Sequence, residues 1–158
     1  MTGHPRAREP LALLALTALA LAWSAVQPFD RLTWWLEVTP VLIAVPLLIA
    51  TWPRHALSPL LYRLIFLHAL ILIVGGHYTY ARVPAGFWLQ EALDLSRNHY
   101  DRLGHLAQGF VPALLAREIL LRATPLVRGA WLNLLIVSVC LAVSALYELI
   151  EWLAALVS

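Results

Sequence analysis

Lysine is absent from this chain, and charged residues of either sign are scarce. All eleven basic residues are arginine, nine residues are acidic, and charged residues make up 13% of the 158 positions. The net charge of +2 is too small and too scattered for a nucleic-acid-binding surface, and no RNA-binding motif or zinc-finger spacing is present. We therefore expect no nucleic-acid partner.

Cysteine is nearly absent too. The single Cys140 excludes an intrachain disulfide, and because it lies in an apolar run we expect a buried, inert thiol. Apolar residues, by contrast, are abundant: 61% of the chain is hydrophobic, whereas a soluble domain has about 45–50%. The composition predicts one transmembrane domain over residues 1–158, with the lipid bilayer as its partner.

Five apolar segments approach or exceed the length needed to cross a bilayer, which is about 20 residues. They predict an all-α, polytopic bundle of about five transmembrane helices. Pro40 and Pro46 should kink the second helix. The predicted spans are 11–29, 32–52, 60–80, 100–121 and 131–157. Between the third and fourth, a stretch that mixes charges with Trp88 and leucines predicts a short amphipathic interfacial segment near 84–96.

The N-terminal span has two interpretations. Its arginines and the sequence Ala20-Leu21-Ala22 resemble a cleavable signal peptide, but the uncharged run continues to Phe29, so we expect a retained helix. The arginine distribution favours a cytoplasmic N-terminus. Under that orientation seven arginines are cytoplasmic and four are outside. The first group is Arg6, Arg8, Arg54, Arg63, Arg117, Arg122 and Arg128; the second is Arg31, Arg82, Arg97 and Arg102.

Two polar clusters interrupt these apolar helices, at residues 98–105 and 147–152. Ionisable groups in a span are costly and indicate a functional site. Asp101 and His105 lie one helical turn apart, and so share one stripe of the fourth helix. Glu148 and Glu151 share a stripe of the fifth. Alternating spans predict that both clusters lie in one pocket at the membrane face where His77 ends the third helix. With a cytoplasmic N-terminus this is the outer face.

Imidazole and carboxylate groups are ligands of Zn, Mn or Fe, and helix bundles build such sites from facing helices. The candidate metal ligands are His77, Asp101, His105, Glu148 and Glu151. The last four of these are also the candidate catalytic acids and bases. Arg102, Asn98 and Tyr147 are candidate substrate-binding residues, because a guanidinium suits the phosphate of a lipid or polyprenyl headgroup.

Three interpretations of the clusters stay open. They form an enzyme site that uses a metal or acid/base chemistry, a pocket for non-catalytic lipid binding or transport, or a hydrogen-bonded network that only joins helices. Two smaller expectations accompany them. His68, alone in the third span, should be a hydrogen-bonded core residue, and Gly104 and Gly109 should allow close helix packing.

The motifs themselves resemble those of a known family. Residues 75–80 (Gly-Gly-His-Tyr-Thr-Tyr), 97–105 (Arg-Asn-His-Tyr-Asp-Arg-Leu-Gly-His) and 147–152 (Tyr-Glu-Leu-Ile-Glu-Trp) resemble the YjdF-like family of bacterial inner-membrane proteins over about residues 30–155. The resemblance implies a multi-pass location in the bacterial inner membrane and names no activity. It also implies a further helix after the one that carries Glu148, so that this chain lacks a C-terminal helix or continues past Ser158. A more remote similarity is to VanZ-like membrane proteins, which are associated with envelope lipids.

Overall fold

The computed structural model describes the backbone of residues 5–157, without the side chains of residues 5, 6, 155 and 157. The side chain of Arg6, used in the orientation argument, and Ser158, the end of the predicted domain, therefore lie outside the described residues. The described chain is helical, with short connections. Its elements are α1 (Pro5–Ser24), α2 (Arg31–His55), α3 (Pro59–Tyr78), a 3₁₀ turn (Tyr80–Arg82), α4 (Pro84–Ala92), α5 (Tyr100–Ala123) and α6 (Ala130–Val157).

The all-α prediction is confirmed, and the helix limits lie close to those expected. The main difference is in α1, which begins at Pro5 rather than at residue 11 and ends at Ser24, so residues 25–29 are not helical as the uncharged run suggested. The chain turns there through Gln27, whose φ is 51°, and Asp30 then caps α2. The second helix is continuous through its three internal prolines.

Four described helices are long and apolar enough to cross a membrane: α1 from Ala7, α2, α3, and α6 as far as Ala154. The fifth predicted span, α5, is long enough at 24 residues but is less apolar. Its first turn carries Asp101 and Arg102, and its last turns carry Arg117, Glu118 and Arg122. The chain is thus a polytopic helical membrane protein with about five spans, and α5 is its most polar long helix.

The chain divides into two compact units, Met1–His105 and Leu106–Ser158. In the first, α3 packs against both α1 and α2. Its core contains Trp34 and Val38 from α2 and Ala69, Leu72 and Ile73 from α3. These helices expose most of their other large apolar side chains, as expected where the surroundings are hydrocarbon.

The second unit contains the rest of α5 and all of α6. Val111 and Leu132 are buried there, whereas most large apolar side chains of α6 are exposed. The Cys140 thiol lies 3.9 Å from the carbonyl oxygen of Gly109. Cys140 is a free thiol, half-buried rather than fully buried as predicted.

Candidate functional site

The first unit has one end where buried polar contacts join its helices. We call it the Ser24 end; it comprises the last turns of α1 and α3, residues 25–30, the first two turns of α2, residues 79–99 and α5 as far as His105. Ser24 is fully buried and accepts a hydrogen bond from the Trp34 indole N–H at 3.0 Å. Its carbonyl oxygen lies 3.0 Å from Nδ1 of His77, so a protonated Nδ1 donates to it. Ser24 therefore connects α1 to both α2 and α3.

His77, predicted as a metal ligand, is engaged in this connection. Its ring lies 4.4 Å from that of Trp23, and its carbonyl oxygen accepts from the Phe29 N–H at 2.9 Å. With Nδ1 against the Ser24 carbonyl, Nε2 is the nitrogen left for any other partner. The contacts of His77 are those of a residue that fastens the end of α1 to the end of α3.

Tyr80 occupies the centre of the Ser24 end. The preceding Thr79 has a φ of 58°, a left-handed conformation that is rare outside glycine and that ends α3 abruptly. The ring of Tyr80 then lies against Gly75 of α3 and Gly104 of α5, where an added Cβ would come within 2.7 Å of it. Its hydroxyl donates to Oε2 of Glu37 at 2.8 Å. One tyrosine thus contacts three helices.

Glu37 is the residue at this end that the sequence analysis did not single out. It lies seven residues into α2 and is only 7% exposed. A carboxyl group buried in a spanning helix is costly, and the rule applied to the two clusters should have flagged it too. It was missed because it stands alone in sequence: the nearest ionisable residues of α2 are Arg31 and Arg54.

Asn98, predicted to bind substrate, is buried and bonded at both ends of its amide. Its NH₂ donates to the Val83 carbonyl at 3.0 Å, and its Oδ1 accepts from the Tyr100 N–H at 3.0 Å. Gly86 leaves room for it, since a Cβ there would lie 1.9 Å from Oδ1. Asn98 therefore ties the start of α4 to the start of α5.

Asp101 is half-exposed in the first turn of α5. Its Oδ2 lies 3.4 Å from a guanidinium nitrogen of Arg97, and its Oδ1 accepts from the backbone N–H of Arg102 at 2.9 Å. A carboxylate in the first turn of a helix is also favoured by the helix dipole. The contacts of Asp101 are thus local to the start of α5 and open to solvent.

Unlike Asn98 and Asp101, Arg102 and His105 have exposed side chains. Within residues 5–157, neither side chain has a hydrogen-bond or ion-pair partner, although Arg102 follows directly on the paired Asp101. They are three residues apart, so both project from the first two turns of one helix. A cation and a titratable imidazole are therefore available to a ligand at the Ser24 end.

The predicted residues of α6 belong to the second unit. Glu148 is exposed, while Glu151 and Tyr147 are half-buried and both have interactions of their own. Throughout the described part of the chain, no group of three or more His, Cys, Asp or Glu side chains is arranged to hold a metal ion. A shared site of Glu148 and Glu151 with the α5 residues, and metal binding by them, stay predictions.

Two further expectations have different outcomes. Gly104 is buried against the Tyr80 ring, as predicted for close packing, but a Cβ at Gly109 would meet nothing within 4 Å. The Nε2 atom of His68 is buried and, among the residues described, has no hydrogen-bond partner, so the expectation of a hydrogen-bonded core histidine was wrong for that nitrogen. The Nδ1 atom of His99, next to Asn98 in the chain, is likewise buried and has no hydrogen-bond partner among the described residues.

The comparisons with known proteins agree that the chain is similar to membrane proteins. The family described as predicted membrane protein (DUF2238) matches residues 9–158. The inner membrane protein YjdF of Escherichia coli (strain K12) is 57% identical over 155 residues, which cover 96% of this chain and 74% of that protein. No solved structure matches the chain. These findings lend no support to the remote similarity to VanZ-like proteins.

Proposed function

We propose that this chain, which belongs to the DUF2238 family of membrane proteins, binds the anionic headgroup of an envelope lipid at the Ser24 end. The observation that carries the proposal is the exposed pair of Arg102 and His105 in the first two turns of α5. Both lie beside a helix start, where backbone N–H groups and the helix dipole also favour an anion.

A phosphate is the headgroup chemistry that suits these groups best. A guanidinium offers parallel N–H donors that match phosphate oxygens, and such charge-assisted bonds are about twice as strong as neutral ones. Asp101 is already engaged with Arg97 and a backbone N–H, which leaves Arg102 unopposed as a cation. In this proposal Asn98 holds the start of α5 in place, since both its amide nitrogen and its amide oxygen are already hydrogen-bonded.

Catalysis at this site is the finer form of the proposal. The imidazole of His105 can donate or accept a proton, and Asp101 lies one turn before it on the same helix, so the two suit acid/base work on a bound phosphate ester. Glu148 and Glu151 would add carboxylates, on the argument from alternating spans alone. The rival is a network that only joins helices, and it is favoured for His77 and Asn98 by their backbone contacts.

The binding test compares purified wild type with Arg102→Ala. Native mass spectrometry would measure binding of phosphatidylglycerol and of a polyprenyl phosphate, with a neutral diacylglycerol as reference. We expect the substitution to weaken phosphate-lipid binding by a factor of about 10 to 100, since a charge-assisted contact contributes about 1.5–3 kcal/mol. Arg128→Ala, which removes an equally exposed arginine between α5 and α6, is the matched control. Equal binding by wild type and Arg102→Ala would overturn the proposal.

Metal binding and orientation are tested separately. Stoichiometric Zn, Mn or Fe in the purified protein, lost in both His105→Ala and Glu148→Gln, would support the metal hypothesis. For orientation, a cysteine replacing Asp94 in a Cys140→Ser background should react with a membrane-impermeant reagent from outside the cell. Labelling only from the cytoplasm would contradict an outward-facing site.

A further inference from the structure

Tyr80 packs the first two turns of α5 against the rest of the first unit. The contact is made with Gly104, whose missing side chain admits the ring: a Cβ there would lie 2.7 Å from the Tyr80 Cε1 atom. The Tyr80 and Tyr100 rings also lie 5.8 Å apart, and the Tyr100 hydroxyl donates to the Ile71 carbonyl at 3.3 Å. The start of α5 is thus seated against α3 through two tyrosines.

The contact at Gly104 sets the rotation of α5. Successive residues of a helix lie about 100° apart, so Asp101 lies about 60° and His105 about 100° from the side that faces Tyr80. Arg102 lies about 160° away, on the opposite side. This matches the exposure of the three side chains, because Asp101 is half-exposed whereas Arg102 and His105 are exposed. The Tyr80 contact therefore decides which residues of this turn a ligand meets.

Tyr80 is itself held by a residue of a third helix. Its hydroxyl donates to Glu37 at 2.8 Å, and Glu37 is packed so closely on α3 that a Cβ at Gly76 would lie 3.0 Å from its own. The packing of α2 on α3 has an apolar core of its own in Trp34, Val38 and Leu72. A buried carboxyl is not needed for that packing, and burying one is costly unless it is bonded.

We propose that Tyr80 and Glu37 are positioning residues for the α5 site: the hydrogen bond between them fixes the Tyr80 ring between Gly75 and Gly104 and so fixes the rotation of Asp101, Arg102 and His105. The strained backbone at Thr79 is consistent with this role, because a φ of 58° returns the ring onto the helix that has just ended. The role for ligand binding rests on the proposed function, whereas the effect on the rotation of α5 does not.

The test uses two readouts so that the two ideas can fail separately. The first is the rate at which a water-soluble thiol reagent modifies His105→Cys in a Cys140→Ser background, which reports the position of α5 without any ligand. The second is the affinity of the otherwise native chain for the phosphate lipid that binds wild type best. Tyr80→Phe keeps the ring and removes the hydroxyl, and Glu37→Gln keeps the shape and an acceptor oxygen.

Tyr80→Phe should change the thiol rate at least about three-fold and weaken lipid binding about five-fold, which corresponds to about 1 kcal/mol for one lost hydrogen bond. Glu37→Gln should keep both the thiol rate and the lipid affinity close to those of wild type, since its amide oxygen still accepts from Tyr80. Gly104→Ala should act like Tyr80→Phe or more strongly. The matched controls are Tyr78→Phe, whose ring contacts Trp23 and His77, and Gly109→Ala, where a Cβ meets open space. Both should leave the two readouts unchanged.

The outcomes separate the hypotheses. A changed thiol rate in a protein that binds no phosphate lipid would support positioning and refute the proposed function. If Tyr80→Phe leaves both the thiol rate and lipid binding unaltered, the positioning role is refuted. A changed thiol rate with unaltered lipid binding would refute only the role of Tyr80 in ligand binding. A lower melting temperature with both readouts preserved would assign Tyr80 and Glu37 to stability alone.

Discussion

The two ends of the α1–α3 bundle are held together by different chemistry. At the Ser24 end the contacts are buried: Trp34 donates to Ser24, and Tyr80 donates to Glu37. At the opposite end, which we call the Glu9 end and which comprises the first turns of α1 and α3 and the last turn of α2, an ion pair joins Glu9 to Arg63. Both partners of that pair are about half exposed, and an aromatic contact of Trp52 with Tyr62 lies nearby.

Burial makes these two kinds of contact unequal. An exposed ion pair contributes little, because water and salt screen it and two long side chains must be ordered. A buried hydrogen bond, once broken, leaves a polar group with no water to replace its partner. We infer that the Ser24 end has one fixed geometry while the Glu9 end is adaptable. The end with the fixed geometry is the one at which α5 begins.

The largest effect should come from Gly86→Ala at the Ser24 end. The new Cβ would lie 1.9 Å from Oδ1 of Asn98, so the Asn98 side chain must leave its place. That leaves the Tyr100 N–H and the displaced Asn98 amide without their partners, whereas the Val83 carbonyl keeps its bond from the backbone N–H of residue 86. We expect a loss of about 2–4 kcal/mol in the free energy of unfolding, from two polar groups at about 1–3 kcal/mol each. Titration with a denaturing detergent measures it. Gly129→Ala, where a Cβ meets nothing within 4 Å, is the control; equal stability of the two variants would remove Asn98 from the account.

Ser24→Ala should have the next largest effect. It removes the acceptor of the Trp34 N–H while filling the same space, so the indole is left buried and unbonded. A loss of about 1–3 kcal/mol is expected on the same titration. Thr39→Ala is its control, because the Thr39 hydroxyl bonds only to the carbonyl four residues earlier on an exposed face. If both variants lose the same stability, buried contacts at the Ser24 end have no special weight.

The sequence predicted the helices well because their signal is local. Each predicted helix is a single run of neighbouring residues, and apart from α1 the helices found there begin and end within a few residues of the expected limits. The exception, α1, runs from Pro5 to Ser24 rather than over 11–29. Pro28 is a local signal for its end, whereas the contact of His77 with the last carbonyl of α1 comes from 53 residues away.

The site was predicted less completely because its contacts are not local. Helix phase put Asp101 and His105 on one stripe of α5, yet it could not show that Asn98 is bonded to Val83, fifteen residues away. Nor could it bring Tyr80 to Glu37, which are 43 residues apart. A search for single buried carboxyl candidates in every span, rather than for clusters, would have found Glu37.

A smaller effect is expected at the Glu9 end. Glu9→Gln removes the charge that pairs with Arg63, and the stability change should be well below that of Ser24→Ala. It should also shrink as salt rises, because an exposed pair is screened. Comparing the two variants at low and high ionic strength checks this. A loss as large as that of Ser24→Ala, or one insensitive to salt, would show that the Glu9 end is as firmly held as the other.

The smallest effect should be found at Asp30, an exposed group at the Ser24 end. This variant tests whether burial or position at that end decides the size of the effect. Its Oδ1 accepts from the Thr33 N–H at 2.7 Å, which holds the pKa of Asp30 below its usual 3.8. A lowered pKa adds stability above the unfolded-state value, and that stability is lost as pH falls below about 4. Asp30→Asn keeps an acceptor for the cap without the charge, so this part of the acid dependence should vanish while stability near neutral pH changes little. Unfolding measured at several pH values tests it. A large loss at neutral pH would mean that position at the Ser24 end matters more than burial.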